Sequence, residues 1–390
     1  MPSPSYKNEI ERLHENTLKR QRTRSKPIII RREIISANLR NLMPEIANVD
    51  HPKIIDEVYL NQQWGVCDFN HPDLVGEINV EGAIPDFNII RANPTIFCSY
   101  HFGSYRLIAL FLISKKIPFT ALIDSQVADN QGEAFADGVR AARLKYNAPE
   151  ECGKIIDTAK DNFIFSILKD LRAGKSLLVF IDGNTGVNVK AGIEEKRAKI
   201  NFLDSTLECR KGIGYISYLS QISVTPLAMY RTNTWDNNLC FFPKIQPAKS
   251  QDRELYTINL LQNLYCILQE IMLKGISQWE TWIYIEKSLT VITDTSVEKA
   301  VTCLESRVAN NLVFNDDRYR LVELEEFGDH HNILFDRFRY NATPISENLK
   351  KLFKNLKNKR LSYQDILTIP GVNEVFIEQL LAKKILEIVH

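Results

Sequence analysis

The chain has 390 residues, long enough for two or three domains with a sizeable core, so it needs no covalent or metal staple to fold. Its 49 Lys plus Arg stand against 48 Asp plus Glu, which excludes a chain-wide field for nucleic acid or membranes and confines such attraction to local patches. Seven cysteines lie scattered without CxxC or Cys/His spacing and read as reduced thiols of a cytoplasmic protein; the N-terminus has no signal-peptide core and no stretch near the roughly 18 apolar residues of a membrane span.

Residues 1–60 predict a helical lead-in with polar faces, closing at "NVDHPKIIDEVYL". The basic run "KRQRTRSK" within it reads as a solvated helix end, with anionic phosphates as the second reading. From about residue 85 the texture changes. Short apolar runs, "PTIFCSY", "PFTALID" and "SLLVFID", alternate with helical patterns, "SYRLIALFLISKK" and "FIFSILKDLRAGK", the second stopping at Gly174. Such alternation predicts strands joined by helical crossovers, hence an α/β domain over 61–295. "CRKGIGYISYLSQ" continues it as a helix, "VTPLAMYR" and "NNLCFFPKI" as strands, and "INLLQNLYCILQEIMLKG" as a long helix ended by Gly275. "TVITDTSVEKAVTCLESRVA" opens like a linker, placed at 296–310. Beyond it, "RYRLVELEEF" and "HNILFDRFR" read as two strands, and "PISENLKKLFKNLKN", "SYQDILTI" and "EVFIEQLLAKK" as helices. Together they predict a small winged-helix-like α+β module over 311–390.

The residues with chemistry fall at strand ends, where α/β folds place ligands. His101 follows "TIFCSY" and precedes Phe102-Gly103 and a helix; it reads either as a base held neutral beside that helix or as a structural cap. Asp182 ends the apolar run "SLLVFI" and precedes "GNTG", a turn whose backbone N–H groups at Gly183 and Asn184 are placed to meet an anion; a plain Asp turn cap is the alternative. Asp124 ends "PFTALID" in the same way. The guanidinium of Arg106 suits a substrate carboxylate or phosphate. There is no GxSxG elbow and no complete Gly-rich phosphate fingerprint, and the His330-His331 pair lacks partner ligands, so no metal or bound cofactor is expected.

In order, "SYHFGSYRL", "LRAGKSLLVFIDGNTG", "KRAKINFL", "ISVTPLAMYR" and "QWETWIYIEKSL" resemble the bacterial lipid A and lysophospholipid acyltransferase family, over residues of about 90–290. The resemblance implies a mixed sheet flanked by helices, of the glycerolipid-acyltransferase type. It also implies acyl transfer from a thioester of acyl carrier protein or coenzyme A to a hydroxyl or amine. His101 would be the general base, Asp182 would line the site, and Lys196, Arg197 and Lys199 would contact donor phosphate, although a solvated charged loop is the ordinary reading of the basic stretch. Backbone N–H groups near Gly103 or Gly183 would hold the oxyanion. Asn201-Phe202-Leu203, Trp279 and Trp282 are read as packing residues.

One position departs from the family, which carries Asp or Glu five residues after the histidine to orient its imidazole; here that residue is Arg106. Another carboxylate, Asp124 or Asp182, could orient His101; the base could work without one; or catalysis could be lost and binding kept. The last gives the alternative reading, a decayed acyltransferase that recruits a peptide or acyl carrier protein. A lysolipid acyltransferase touching membranes transiently is the third. The C-terminal module resembles the pyrroloquinoline-quinone chaperone type of winged-helix domain, which implies a peptide added as a strand to its sheet edge; a packing or dimerisation module is the other reading.

Overall fold

In the computed structural model, which describes residues 3–21, 25–123, 125–157, 163–183, 196–290, 311–326 and 329–389, strands between 79 and 241, most of them the apolar runs, form one seven-stranded sheet. The chain packs as two units, residues 1–22 with 38–290 and residues 23–37 with 291–390. The N-terminal 60 residues are therefore divided between the units. Helices α1 (Pro4–Gln21), α3 (His51–Phe69) and the short α4 (Phe87–Ala92) belong to the first, whereas α2 (Lys26–Leu42) is split after Ala37.

In the first unit the strands are β1 (Asn79–Gly82), β2 (Ile96–Ser99), β3 (Phe119–Ile123), β4 (Cys152–Asp157), β5 (Ser176–Phe180), β8 (Val224–Arg231) and β9 (Asn237–Phe241), in the order β1-β9-β8-β2-β5-β3-β4. Five run parallel, from β4 across to β8; β9 is antiparallel to β8 and parallel to β1. All four residues of β2 and all eight of β8 are buried, which is why these strands read as largely apolar runs without alternation: helices cover both faces of a parallel sheet. Passage from β2 through β3 to β4 crosses the sheet one way, and passage from β4 through β5 to β8 returns. Right-handed crossovers therefore put α5 (Leu107–Ser114) and α6 (Ser125–Tyr146) on one face, and α7 (Phe163–Arg172) and α8 (Gly212–Ser220) on the other, α8 packing with α9 (Arg253–Met272). Helix α5 is buried at every position from Leu107 to Ile113, as its all-apolar surface requires. A two-stranded ribbon, β6 (Arg197–Phe202) with β7 (Ser205–Arg210), stands outside this sheet and closes the basic stretch into a hairpin rather than a loop.

The second unit holds an antiparallel meander of β11 (Tyr319–Glu326), β12 (Asp329–Asp336) and β13 (Asn341–Ile345). Ile29, Ile30, Ile34 and Ala37 of α2 cover one face of it, against Val322, Leu324, Ile333 and Phe335. A second small sheet pairs β10 (Asn311–Phe314) with β14 (Leu361–Ser362) and β15 (Leu386–Val389). Helices α10 (Glu347–Asn358), α11 (Tyr363–Leu367) and α12 (Glu374–Ala382) share its core through Leu352, Phe353, Ile366, Ile377 and Leu380. The chain is thus α/β with a mixed sheet flanked by helices, plus small antiparallel sheets. The segment expected as a linker, 296–310, lies outside the described residues. Among the described residues no helix is long and apolar enough to cross a membrane.

Candidate active site

Strands β2 and β5 are parallel neighbours, with Ser99 opposite Phe180 and the Ile181 N–H donating to the Ser99 C=O at 3.0 Å. Two residues past the end of each strand come His101 and Asp182. Their adjacency is a consequence of strand order, and both stand just past the carboxyl edge of the parallel sheet, where α/β folds place ligands.

The two side chains meet directly. His101 Nδ1 lies 2.8 Å from Asp182 Oδ1, and the His101 backbone N–H donates to both carboxylate oxygens, at 3.1 and 3.0 Å. Asp182 Oδ2 also accepts from Trp279 Nε1–H at 2.8 Å and Thr281 Oγ1–H at 2.9 Å. The carboxylate is fully buried, while the imidazole is 18% exposed. Burial alone would raise the Asp182 carboxyl; the charge of His101 and the hydrogen bonds from His101 and Trp279 outweigh it and hold the group below the usual carboxylate range. With Nδ1 bound to a carboxylate, the neutral ring carries its proton there and leaves the Nε2 lone pair available. Nε2 has no hydrogen-bond partner among the described residues.

The surroundings fix this geometry. The rings of Tyr105 and Phe180 stand 4.7 and 5.2 Å from the imidazole. A Cβ on Gly183 would come 3.0 Å from His101 Cε1, so glycine at 183 leaves room for the ring. Gly103 has φ +54°, and a Cβ there would lie 2.9 Å from the Met229 C=O oxygen; the turn after His101 needs both the left-handed backbone and the missing side chain. The segment 278–281 runs along this turn. Gly103 N–H donates to the Gln278 C=O at 2.9 Å and Glu280 N–H to the His101 C=O at 2.8 Å, which aims Trp279 and Thr281 at Asp182. Phe202, at the end of β6, is buried between Tyr265 and Trp279, with ring centroids 5.4 Å from each.

Beneath the turn lies a buried polar cluster on Asp68, the penultimate residue of α3. Its carboxylate pairs with Arg231 at 2.5 Å and accepts from Ser104 Oγ–H and Tyr6 O–H, each at 2.6 Å, and from Asn237 Nδ2–H at 3.2 Å. The cluster ties α1, α3 and the end of β8 to the residue after Gly103.

Arg106 pairs with Glu280 and not with the His101–Asp182 couple. Its guanidinium lies 3.5 Å from Glu280 and 4.4 Å from the centroid of the Tyr105 ring. Burial opposes its charge, but Tyr105 and Glu280 more than compensate and raise its pKa. Arg106→Glu would set two largely buried carboxylates together and remove the partner of a buried ion pair, so a loss of about 3–5 kcal/mol in unfolding free energy is expected. Denaturant titration measures it, and a change within about 0.5 kcal/mol, the range of an ordinary surface substitution, would refute the pairing.

Of the other expected site residues, Arg197 pairs with Glu208 across the ribbon at 3.3 Å, and Lys199 is exposed on β6. Asp124 and Asn184 lie outside the described residues. Trp279, read from the sequence as packing, is both fully buried and a hydrogen-bond donor to Asp182; Thr281 was not singled out at all. Trp279 is extended and Thr281 lies in the short 3-10 helix Glu280–Ile283, so no strand or helix period in the sequence marks the two as a pair of donors. Compared with known proteins, the sequence matches no family model and has no significant match among curated proteins.

Proposed function

We propose that the chain is an acyltransferase that moves an acyl group from a thioester, on acyl carrier protein or coenzyme A, to a hydroxyl or amine of an acceptor outside the membrane. The observation that carries the reading is the His101–Asp182 pair, a partly exposed imidazole on a fully buried carboxylate at the carboxyl edge of the sheet. His101 Nε2 takes the proton of the acceptor O–H or N–H as the acceptor oxygen or nitrogen attacks the thioester carbonyl. The resulting tetrahedral oxyanion collapses, the C–S bond breaks, and the leaving thiolate recovers the proton from the imidazolium. Asp182 holds the tautomer and steadies the cation. Of the two glycines near the imidazole, Gly103 already donates its N–H to Gln278, so Gly183 is the proposed oxyanion donor.

The similarity of the ordered motifs to the lipid A acyltransferase family supports thioester chemistry. The binding-only alternative has Arg106 leaving His101 without an orienting carboxylate; the contact of His101 Nδ1 with Asp182 favours the catalytic reading. The second unit is proposed as a winged-helix-like peptide-binding module; its strand β13 is an edge of the meander, which favours a peptide, or a carrier-bound intermediate, as acceptor. Intact-mass analysis of candidate acceptors incubated with the protein and acyl-coenzyme A or acyl carrier protein tests the proposal. Acyl gain is expected; thioesters that stay intact across peptide, amine and alcohol acceptors would overturn it.

A further inference from the structure

Away from His101, the first unit brings together three side chains that the sequence separates. Cys67 is in the last turn of α3, and His71 follows just beyond its end. The Asn70 N–H still donates to the Cys67 C=O at 3.0 Å and the His71 N–H to the Asp68 C=O at 2.9 Å, so the chain keeps a helical turn and Cys67 and His71 fall on one side. Glu9 arrives from α1. That helix is seated by Tyr6 and Ile10, buried with Cys67 and Leu74, and by the Tyr6 O–H bond to Asp68. His71 Nε2 lies 3.0 Å from Glu9 Oε2, and the Cys67 Sγ, a Glu9 carboxylate oxygen and a ring nitrogen of His71 are all within 4.8 Å of one another.

We propose that Glu9, Cys67 and His71 form a divalent-cation site of the zinc type, clamping α1 to the end of α3. Thiolate, imidazole and carboxylate are the three donors zinc takes, and bonds of about 2.0–2.3 Å in tetrahedral geometry put donors roughly 3.3–3.6 Å apart. The spacing observed here reaches that with a shift of at most about 1.5 Å, and two of the three side chains are free to make it: those of His71 and Glu9 are 25% and 36% exposed, while Cys67 is anchored in the core. Three protein donors leave a fourth position for water. The site adjoins Asp68, which bonds Ser104 in the turn carrying His101, so a bound cation would brace that turn through α3. The inference is independent of acyl transfer.

The test is titration of chelator-stripped full-length protein with Co²⁺ alone. One equivalent should bind, with a thiolate-to-cobalt charge-transfer band in the near ultraviolet and the intense visible bands of a four-coordinate ion, both displaced by Zn²⁺. Cys67→Ser should abolish the charge-transfer band, and His71→Ala and Glu9→Gln should each weaken binding by about 100-fold or more, beyond the 10–100-fold typical of a residue behind the ligands. Circular dichroism of each variant separates loss of a ligand from loss of fold, and Glu9→Gln, at a partly exposed position, keeps the test open should Cys67→Ser not fold. Absence of stoichiometric Co²⁺ binding, or an unchanged charge-transfer band in folded Cys67→Ser, overturns the site.

Discussion

His101→Ala is expected to lower acyl transfer by about 10²–10⁴-fold, the span a positioned general base contributes. The substitution removes an imidazole that is partly exposed, has Nδ1 bound to a buried carboxylate and has no partner on Nε2 among the described residues. The fold should survive it. The imidazole is 18% exposed, and its backbone N–H, which Ala retains, still donates to Asp182. Turnover measured by intact mass of the acceptor, alongside an unfolding curve, separates the two effects. Near-normal turnover in a folded variant would remove His101 from the mechanism.

Asp182→Asn is expected to have an effect of similar size on turnover and a larger one on stability. Asp182 accepts from the His101 backbone N–H, His101 Nδ1–H, Trp279 Nε1–H and Thr281 Oγ1–H. An amide offers one acceptor oxygen where the carboxylate offers two and points an N–H₂ at groups that are themselves donors, so at least one buried donor loses its partner, at about 1–3 kcal/mol. The imidazole would also lose the anion that fixes its tautomer, so the base is misaligned and its cation unsupported.

The stability difference has a predicted pH dependence. Because the folded-state pKa of Asp182 is depressed, its charge contributes in full above the unfolded carboxyl value, near 4. That contribution is lost as pH falls through the lower folded value. The gap between the native protein and Asp182→Asn should therefore narrow as pH falls below about 4. A gap that is unchanged across that acid range would contradict a buried, ionised Asp182.

Much of the first unit was legible because its central strands are buried on both faces. "TIFCS", "SLLVF" and "VTPLAMYR" are largely apolar runs of strand length, α9 carries the helical period in Tyr256, Leu260, Leu264 and Leu268, and α5 is apolar all round. The ribbon was harder. Its strand "RAKINF" alternates, with Ala198, Ile200 and Phe202 buried and Lys199 and Asn201 exposed, but the charges on the outer face dominate the stretch and make it read as a loop. The short β1, β10 and β14 hold two to four residues each, too few for any period to declare itself. In the second unit β13 escaped notice because "NATPI" is mostly exposed and contains a proline, both marks of an edge strand.

Local sequence determined that His101 and Asp182 each lie just past the end of an apolar strand, because the run of buried residues stops there and a turn begins. It also determined that Arg106 cannot orient an imidazole, since a guanidinium has no lone pair to offer. Only the tertiary structure decided that β2 and β5 are neighbours, and hence that the carboxylate under His101 is Asp182. It alone turned Arg106 toward Glu280, brought Trp279 and Thr281 onto Asp182, and laid Glu9 of α1 against Cys67 and His71. The physical reason is the same in each case. Where a strand ends depends on residues adjacent in the chain, whereas strand order and buried hydrogen bonds depend on which distant surfaces exclude water from one another.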